Sequence, residues 1–229
     1  MVRPVKKKQI QNLQKAIKET AWKQITEFGA PTLSLRAIAR ELKITAPAIY
    51  NYFPNRDALV TALIIDAFTS FGDSQIEARD SVPEQDILGR MMATGLAYLT
   101  WAHTYPQRYQ LIFGTPIPGY EAPLREVLPF AARSLSAAVS VMEQVRAAGK
   151  LNVASFPKVK EEYRESFEAW KSHGGDVDML SFSVAMIIWS RVHGIVSLEI
   201  AGNLPPFGPS GDDLYLYEMK SIKEQFIKD

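Results

Sequence analysis

Cysteine is absent from the 229 residues. Disulfides, zinc–thiolate centres and cysteine nucleophiles are therefore excluded, and a reducing cytoplasm suits the composition. Histidine is scarce. His103, His173 and His193 lie far apart, with no metal spacing such as His-x3-His. Each reads as a satisfied core or surface side chain, and no metal site or cofactor is expected. No glycine-rich phosphate loop or nucleophile elbow occurs. The acid pairs Glu161–Glu162 and Asp212–Asp213 fall on segments expected to be exposed, as solvated faces or helix caps. There is no apolar run of the roughly 18 residues or more that a membrane span needs. Met179–Val196 comes nearest. Ser181, Ser183, Arg191 and His193 interrupt it, so a packed core helix is expected and a membrane partner is not. No apolar signal core follows the basic N-terminus, so export is not expected.

Hydrophobic residues make up 47% and charged residues 22%, the balance of a globular protein. The net charge of +1 hides an asymmetry. Met1–Val60 holds 11 Lys or Arg against four acids, or +7; the remainder holds 15 against 21, or −6. A basic head on an acidic body suits a polyanionic partner; a solvated charged helix face explains it equally well.

Strand-like alternation is scarce and helical periodicity dominates, so the fold class is all-α. Ile10, Leu13, Ile17, Ala21, Ile25 and Phe28 recur every three or four residues, one apolar stripe on an amphipathic helix. Gly29 suits its C-terminal cap, with Pro31 just beyond. Ser34 can cap a short helix, Leu35–Leu42. Thr45 can cap a third, Ala46–Phe53, with Pro47 in the first turn, where a missing N–H costs little. Pro54 closes that helix, and Asn55 can cap a fourth from Arg56 to about Gly72. Further helices are expected over Glu84–Tyr105, Pro106–Phe113, Pro123–Ala148, Pro157–Ser172, Val177–Ala201 and Asp212–Lys228. Pro116, Pro118 and Gly119 mark one loop; Gly202–Gly211, with Pro205, Pro206 and Pro209, marks another.

Two short helices about three residues apart form a known device. The first braces against a nucleic-acid backbone while the second enters the major groove, about 12 Å wide. Ile38, Ala39, Leu42, Ile44, Ile49 and Phe53 can share a core with the first helix. Ala46, Pro47, Ala48, Tyr50, Asn51 and Tyr52 then point outward or flank the exposed face. The stretch LSLRAIARELKITAPAIYNYFPNRDAL, Leu33–Leu59, resembles the helix-turn-helix signature of the TetR (tetracycline-repressor) family. Tyr50, Phe53, Arg56 and Leu59 carry most of the match, and Ile38, Ala39 and Gly29 agree in spacing. The resemblance covers roughly the first 65 residues. It implies a helix-turn-helix domain over residues 1–56, with an arm of about residues 1–8, and a helical effector-binding and dimerisation domain over 57–229. It also implies that Arg36, Pro47, Ala48, Tyr50, Asn51, Tyr52 and Arg56 sit at positions that commonly touch DNA. Chemistry sorts the roles. Arg36 suits guanine O6 and N7, and Asn51 suits adenine or a phosphate. Pro47 and Ala48 suit a thymine methyl, with Ala46 flanking. Ser34, Thr45, Tyr50, Tyr52 and Arg56 suit phosphates, which set register rather than sequence. Arg3, Lys6, Lys7 and Lys8 form a basic arm, non-specific at best. Two departures stand out. Lys43 occupies a turn position where many family members have glycine, and a left-handed lysine there would cost roughly 1 kcal/mol. Arg56 replaces the more frequent lysine.

The C-terminal body is rich in aromatic and methionine residues. An ordinary helical core explains any one of them. An effector pocket, mostly apolar, would be lined by Met91, Tyr98, Trp101, Tyr109, Phe113, Met186 and Trp189. WSRVHGIVSLEIAGNLPP, Trp189–Pro206, resembles the Trp–His–Gly signature of some TetR-type regulators, and YLTWAHTYPQRYQLIFG, Tyr98–Gly114, has the companion look. That resemblance implies that the last two long helices pair with their mates in a four-helix dimer bundle. Ile195, Leu198, Leu214, Tyr217 and Ile222 are the apolar positions for it, or else they pack within one subunit.

Three functions remain open on these residues. The first is a ligand-responsive regulator, a repressor binding a double-stranded operator as a homodimer and answering to a small apolar effector. The second is a small-molecule binding protein with a vestigial head. The third is a helical enzyme acting on an apolar substrate, which no motif supports.

Overall fold

The computed structural model describes residues 12–154, 159–204 and 211–228. The expected arm lysines, Ile10, Pro157 and Pro205, Pro206 and Pro209 lie outside them. Ten α-helices occur among the described residues, with one isolated antiparallel bridge, Leu151 to Ile227. The all-α expectation holds. Contacts divide the chain into two units. The first runs up to Leu63 and adds Thr115–Ala122; the second comprises Ile64–Gly114 and Pro123–Asp229. The division between Leu63 and Ile64 falls inside a helix.

In the first unit α1 spans Leu13–Phe28, α2 Leu35–Glu41 and α3 Ala46–Tyr50, and α4 begins at Arg56. Ile17, Ala21 and Ile25 of α1 are buried with Leu35, Ile38, Ala39, Ile49 and Phe53. Burying one such Ile or Phe contributes about 1.5–3 kcal/mol. Phe28 leaves the stripe: it ends α1 and is exposed, because the chain turns away at Gly29, whose φ of 81° suits glycine. A 3-10 turn, Ala30–Thr32, leads on to α2. The loop with Pro116, Pro118 and Gly119 joins this unit. Ile117 is buried, and the Tyr120 and Thr61 hydroxyls hydrogen-bond at 2.9 Å.

The helix α4 continues to Asp80, past the expected stop at Gly72. That glycine marks a close approach instead. A Cβ there would come within 3.0 Å of Ser134 Cα. The second unit adds α5 (Ile87–Thr104), α6 (Pro106–Phe113), α7 (Leu124–Ala147), α8 (Arg164–Gly174), α9 (Met179–Ile200) and α10 (Gly211–Phe226). Asp86 caps α5, accepting from Gly89 N–H at 2.8 Å, so that helix starts at Ile87 rather than at Glu84. A 3-10 turn, Glu161–Tyr163, precedes α8, so that helix starts later than expected. Helix α7 packs against α5, α8 and α9, and α9 packs against α10. By length and composition α9 could cross a bilayer. Its inner face instead joins this core, and Arg191 reaches α10 by hydrogen bonds to Gln225 Oε1 (2.6 Å) and Ser221 Oγ (3.2 Å) and an ion pair with Glu218.

Candidate nucleic-acid interface and ligand cavity

The turn between α2 and α3 is held by its backbone. Ile44 N–H donates to Ala39 O at 3.0 Å, and Lys43 takes φ 54°, a left-handed value that favours glycine. Ser34 Oγ caps α2, accepting from Ala37 N–H at 3.4 Å, while Ser34 N–H donates to Gln24 Oε1 at 3.4 Å. Thr45 occupies the cap position of α3, but its side chain makes no capping bond. Asn55 Oδ1 does cap α4, accepting from Ala58 N–H at 2.8 Å.

Ile49 and Phe53 anchor α3 inward. That rotation leaves Pro47, Tyr50, Asn51 and Tyr52 exposed, Tyr50 and Tyr52 at 42% and 45%, with Ala46 and Ala48 half-buried beside them. Arg36 on α2 and Thr45 are exposed too; Ser34 is half-buried. Arg56 stands apart. Its Nη2 donates to the carbonyls of Ala30 (3.3 Å) and Pro31 (3.2 Å), bracing the start of α4 against the turn after α1. Sequence reasoning missed that structural bond, which spacing alone does not signal.

In the second unit, α4, α5, α7, α9 and α10 enclose an apolar cavity. The centre of a water-sized sphere can range over about 50 Å³ of it. Met91, Tyr98 and Trp189 line it as expected. Trp101, Tyr109, Phe113 and Met186 do not. The first three belong to an aromatic block beside the cavity, built on Phe71, whose ring centroid lies 5.0 Å from Tyr98, 4.9 Å from Trp101 and 5.6 Å from Phe113. Trp101 Nε1 donates to Ser70 Oγ at 3.0 Å, so its polar end is already committed. Met186 packs against the core elsewhere. Residues missed by the sequence reading also line the wall, among them Gln75 on α4, Leu135, Ala138 and Met142 on α7, and Tyr215 and Met219 on α10. The three-and-four spacing on α7 is a signal that could have marked that helix.

His193 is satisfied, as expected of a core histidine. Its Nδ1 lies 2.8 Å from Tyr109 Oη and 3.0 Å from Tyr98 Oη, and its Nε2 lies 3.2 Å from Ser197 Oγ. Burial lowers the pKa of His193 and raises those of both phenols. A neutral imidazole accepting at Nδ1 and donating from Nε2 fits those partners. Trp189 stacks on the ring at 4.8 Å. His103 Nε2 lies 3.0 Å from Glu199 Oε2, and Asp212 is close by. The donor atoms of these three lie within 4.8 Å of one another, a possible metal triad that the wide sequence spacing conceals. The histidine–carboxylate hydrogen bond accounts for the pairing without a metal.

Of the five positions expected at a dimer surface, Leu198 and Tyr217 are exposed and Ile195 and Leu214 half-buried. Ile222 is corrected: at 0% exposure it fills the wall of the cavity within its own chain and has no surface left for a partner.

Comparison with known proteins agrees with this division of labour. The family model of bacterial regulatory proteins of the tetR family matches residues 17–63, and that of the tetracyclin repressor-like C-terminal domain matches residues 91–222. The HTH-type transcriptional regulators Rv1816 of Mycobacterium tuberculosis and Mb1846 of Mycobacterium bovis are each 30% identical over 202 residues, 84% of this chain and 82% of theirs. A solved structure of a proposed regulatory protein, SCO4313, is 34% identical with a TM-score of 0.73, covering 92% of this chain and 94% of that one. A protein of unknown function from Rhodococcus sp. RHA1, 20% identical, shares the fold with a TM-score of 0.72 over 98% of this chain and 100% of its own. With a head and a body that each match, the chain belongs to the TetR family of helix-turn-helix transcription regulators, DNA-binding proteins rather than enzymes.

Proposed function

We propose that this regulator is a cytoplasmic repressor that grips a near-palindromic operator as a homodimer and releases it when a small, largely apolar ligand fills the body. The observation that carries this reading is the rotation of α3: Ile49 is buried while Tyr50, Asn51, Pro47 and Tyr52 face solvent. A short helix anchored by one face and bare on the other suits the major groove. Arg36 and Asn51 would read base edges, and Pro47 and Ala48, flanked by Ala46, would meet a thymine methyl. Ser34, Thr45, Tyr50, Tyr52 and Arg56 would hold phosphates. Dimerisation would use α9 and α10 through Ile195, Leu198, Leu214 and Tyr217. It is supported by α9 being strongly apolar while only 28% of its most apolar stretch is buried. An isologous pairing of that face would give two heads related by a two-fold axis.

The cavity supports the release step. Helix α4 is one uninterrupted helix from Arg56, just past the recognition helix, to Asp80, beyond the cavity-lining Gln75. A ligand that fits one position of α4 better than another would shift the separation of the heads, and the gain from two-headed binding would fall. The test uses a duplex recovered by the protein from a random library. Apolar compounds that bind the protein should lower the anisotropy of the labelled complex as they are titrated in. Compounds that bind while leaving DNA affinity unchanged would contradict the release mechanism.

A further inference from the structure

Among the described residues, the cavity wall carries no Lys, Arg, His, Asp or Glu. Burial raises the pKa of its two tyrosines, Tyr98 and Tyr215, so both stay neutral. A carboxylate ligand would find no cation here, and an ammonium no anion. Charged ligands therefore face a desolvation cost that nothing on the wall offsets.

The polar hydrogens on the wall are largely spoken for. Thr94 Oγ1 donates to Arg90 O at 2.8 Å. Tyr215 Oη donates to Gly95 O at 2.7 Å, and Tyr98 Oη is engaged with Tyr109 and His193. Trp189 Nε1 has no partner, but that nitrogen has essentially no accessible surface for a ligand to reach. Gln75 differs. It is 2% exposed, and its Nε2 donates to two backbone carbonyls, Phe71 O at 3.1 Å and Ser134 O at 3.0 Å. Carbonyl oxygens only accept, so both amide hydrogens are used and the orientation of the amide is fixed. No hydrogen bond to the other end, Oε1, occurs among the described residues, and Gln75 is one of the residues that line the cavity. On a mainly apolar wall, where the Thr94 and Tyr215 hydroxyls keep lone pairs but have committed their hydrogens, Gln75 Oε1 is the amide acceptor whose orientation is fixed.

We infer that the cavity selects a neutral, mainly apolar molecule bearing one O–H or N–H group, such as an aliphatic alcohol, and that Gln75 Oε1 receives that hydrogen. The inference rests on the reading of the cavity as the effector site. A purely apolar ligand would bury Oε1 unpaired, and a carboxylate would set oxygen against oxygen. The location also gives the contact leverage. Gln75 belongs to α4 and ties it to α7 through Ser134 O, beside the close approach at Gly72. A ligand hydroxyl would act on the same amide that holds those helices in register.

The test compares 1-octanol, its isomer 1-methoxyheptane and octanoate by calorimetry on the full-length protein, with anisotropy of the operator complex read in parallel. The isomers share size and differ in the donor. The alcohol should bind about tenfold or more tightly than the ether, the usual worth of one buried hydrogen bond plus the avoided unpaired acceptor. In Gln75→Met the two should converge to within about twofold, with the ether scarcely changed. Where that variant does not fold, the ratio in the unaltered protein decides alone. Equal binding of alcohol and ether by the unaltered protein would overturn the role of Gln75 while leaving the cavity a ligand site. Tightest binding by octanoate would overturn the neutral class. Failure of all three to bind up to their solubility limits would remove this inference together with the effector-site reading. The expected alcohol preference without any change in DNA affinity would uphold the inference and refute the release mechanism.

Discussion

Removing the charge of Glu143 should loosen the body in a pH-dependent way. This carboxylate on α7 binds three groups. Arg146 donates to it from Nη2 (2.6 Å) and Nε (3.0 Å). Ser181 Oγ donates at 2.7 Å and Asp178 N–H at 3.2 Å, fastening the first turn of α9 to α7. These donors, Arg146 foremost, lower its pKa from 4.5 to about 2. Taken whole, that shift corresponds to roughly 3 kcal/mol. The side chain is 24% solvent-exposed and its arginine 38%, so screening reduces the figure to on the order of 2 kcal/mol. Because the folded pKa is depressed, the stabilisation is complete above the unfolded pKa and is lost as pH falls through about 4.5 toward about 2. Glu143→Gln keeps the shape and an accepting oxygen but not the charge. Urea unfolding followed by circular dichroism, at one fixed protein concentration, should show a loss of about 1–2 kcal/mol at pH 6. The gap between variant and parent should narrow by about a third to a half at pH 3.5. A variant as stable as its parent at pH 6, or a gap independent of pH, would refute the assignment.

Three further outcomes follow from the same geometry. Lys43→Gly relieves a left-handed lysine, so the unfolding midpoint should rise by an amount equivalent to about 0.5 kcal/mol, the strain relieved less the added flexibility of the unfolded chain; a fall would mean that the lysine side chain supports the turn. Arg56→Lys keeps the charge but loses the paired bonds to Ala30 and Pro31, so thermal stability should drop by about 1 kcal/mol while the salt dependence of DNA binding barely moves. Leu198→Glu places a charge on the exposed apolar face of α9, and sedimentation should find monomers with an unchanged helical spectrum, whereas an intact dimer would put the interface elsewhere.

Helices that bury one face were legible because their periodicity is strong: α2, α6 and α7 fall within a residue or two of where spacing and caps put them, and α1 ends where Gly29 marks its cap. Misplaced boundaries share a cause. Gly72 reads as a helix stop, but the missing Cβ serves a close approach to Ser134, a tertiary demand that no local rule contains. The placement of Thr115–Ala122 with the head is likewise a tertiary fact. The outward face of α3 was legible because Ile49 and Phe53 fix the rotation. The cavity was legible only in part. Aromatic residues mark where the body is dense, and density includes both walls and solid core, so Tyr109 and Phe113 were indistinguishable from Met91 and Tyr98. Gln75 carries no sequence signal, since a buried glutamine on a helix resembles a surface one. Ile222 and Leu198 are equally apolar, and only the packing of α9 against α10 sorts them into inside and outside.

The most direct test of the central claim is to let the purified protein choose duplexes from a random library and to titrate the preferred one at two salt concentrations. A two-fold-symmetric consensus should emerge, bound far more tightly than random DNA at the higher salt and weakened when Tyr50 or Asn51 is replaced by alanine. An unenriched pool, bound weakly and only at low salt, would contradict the claim that α3 reads an operator.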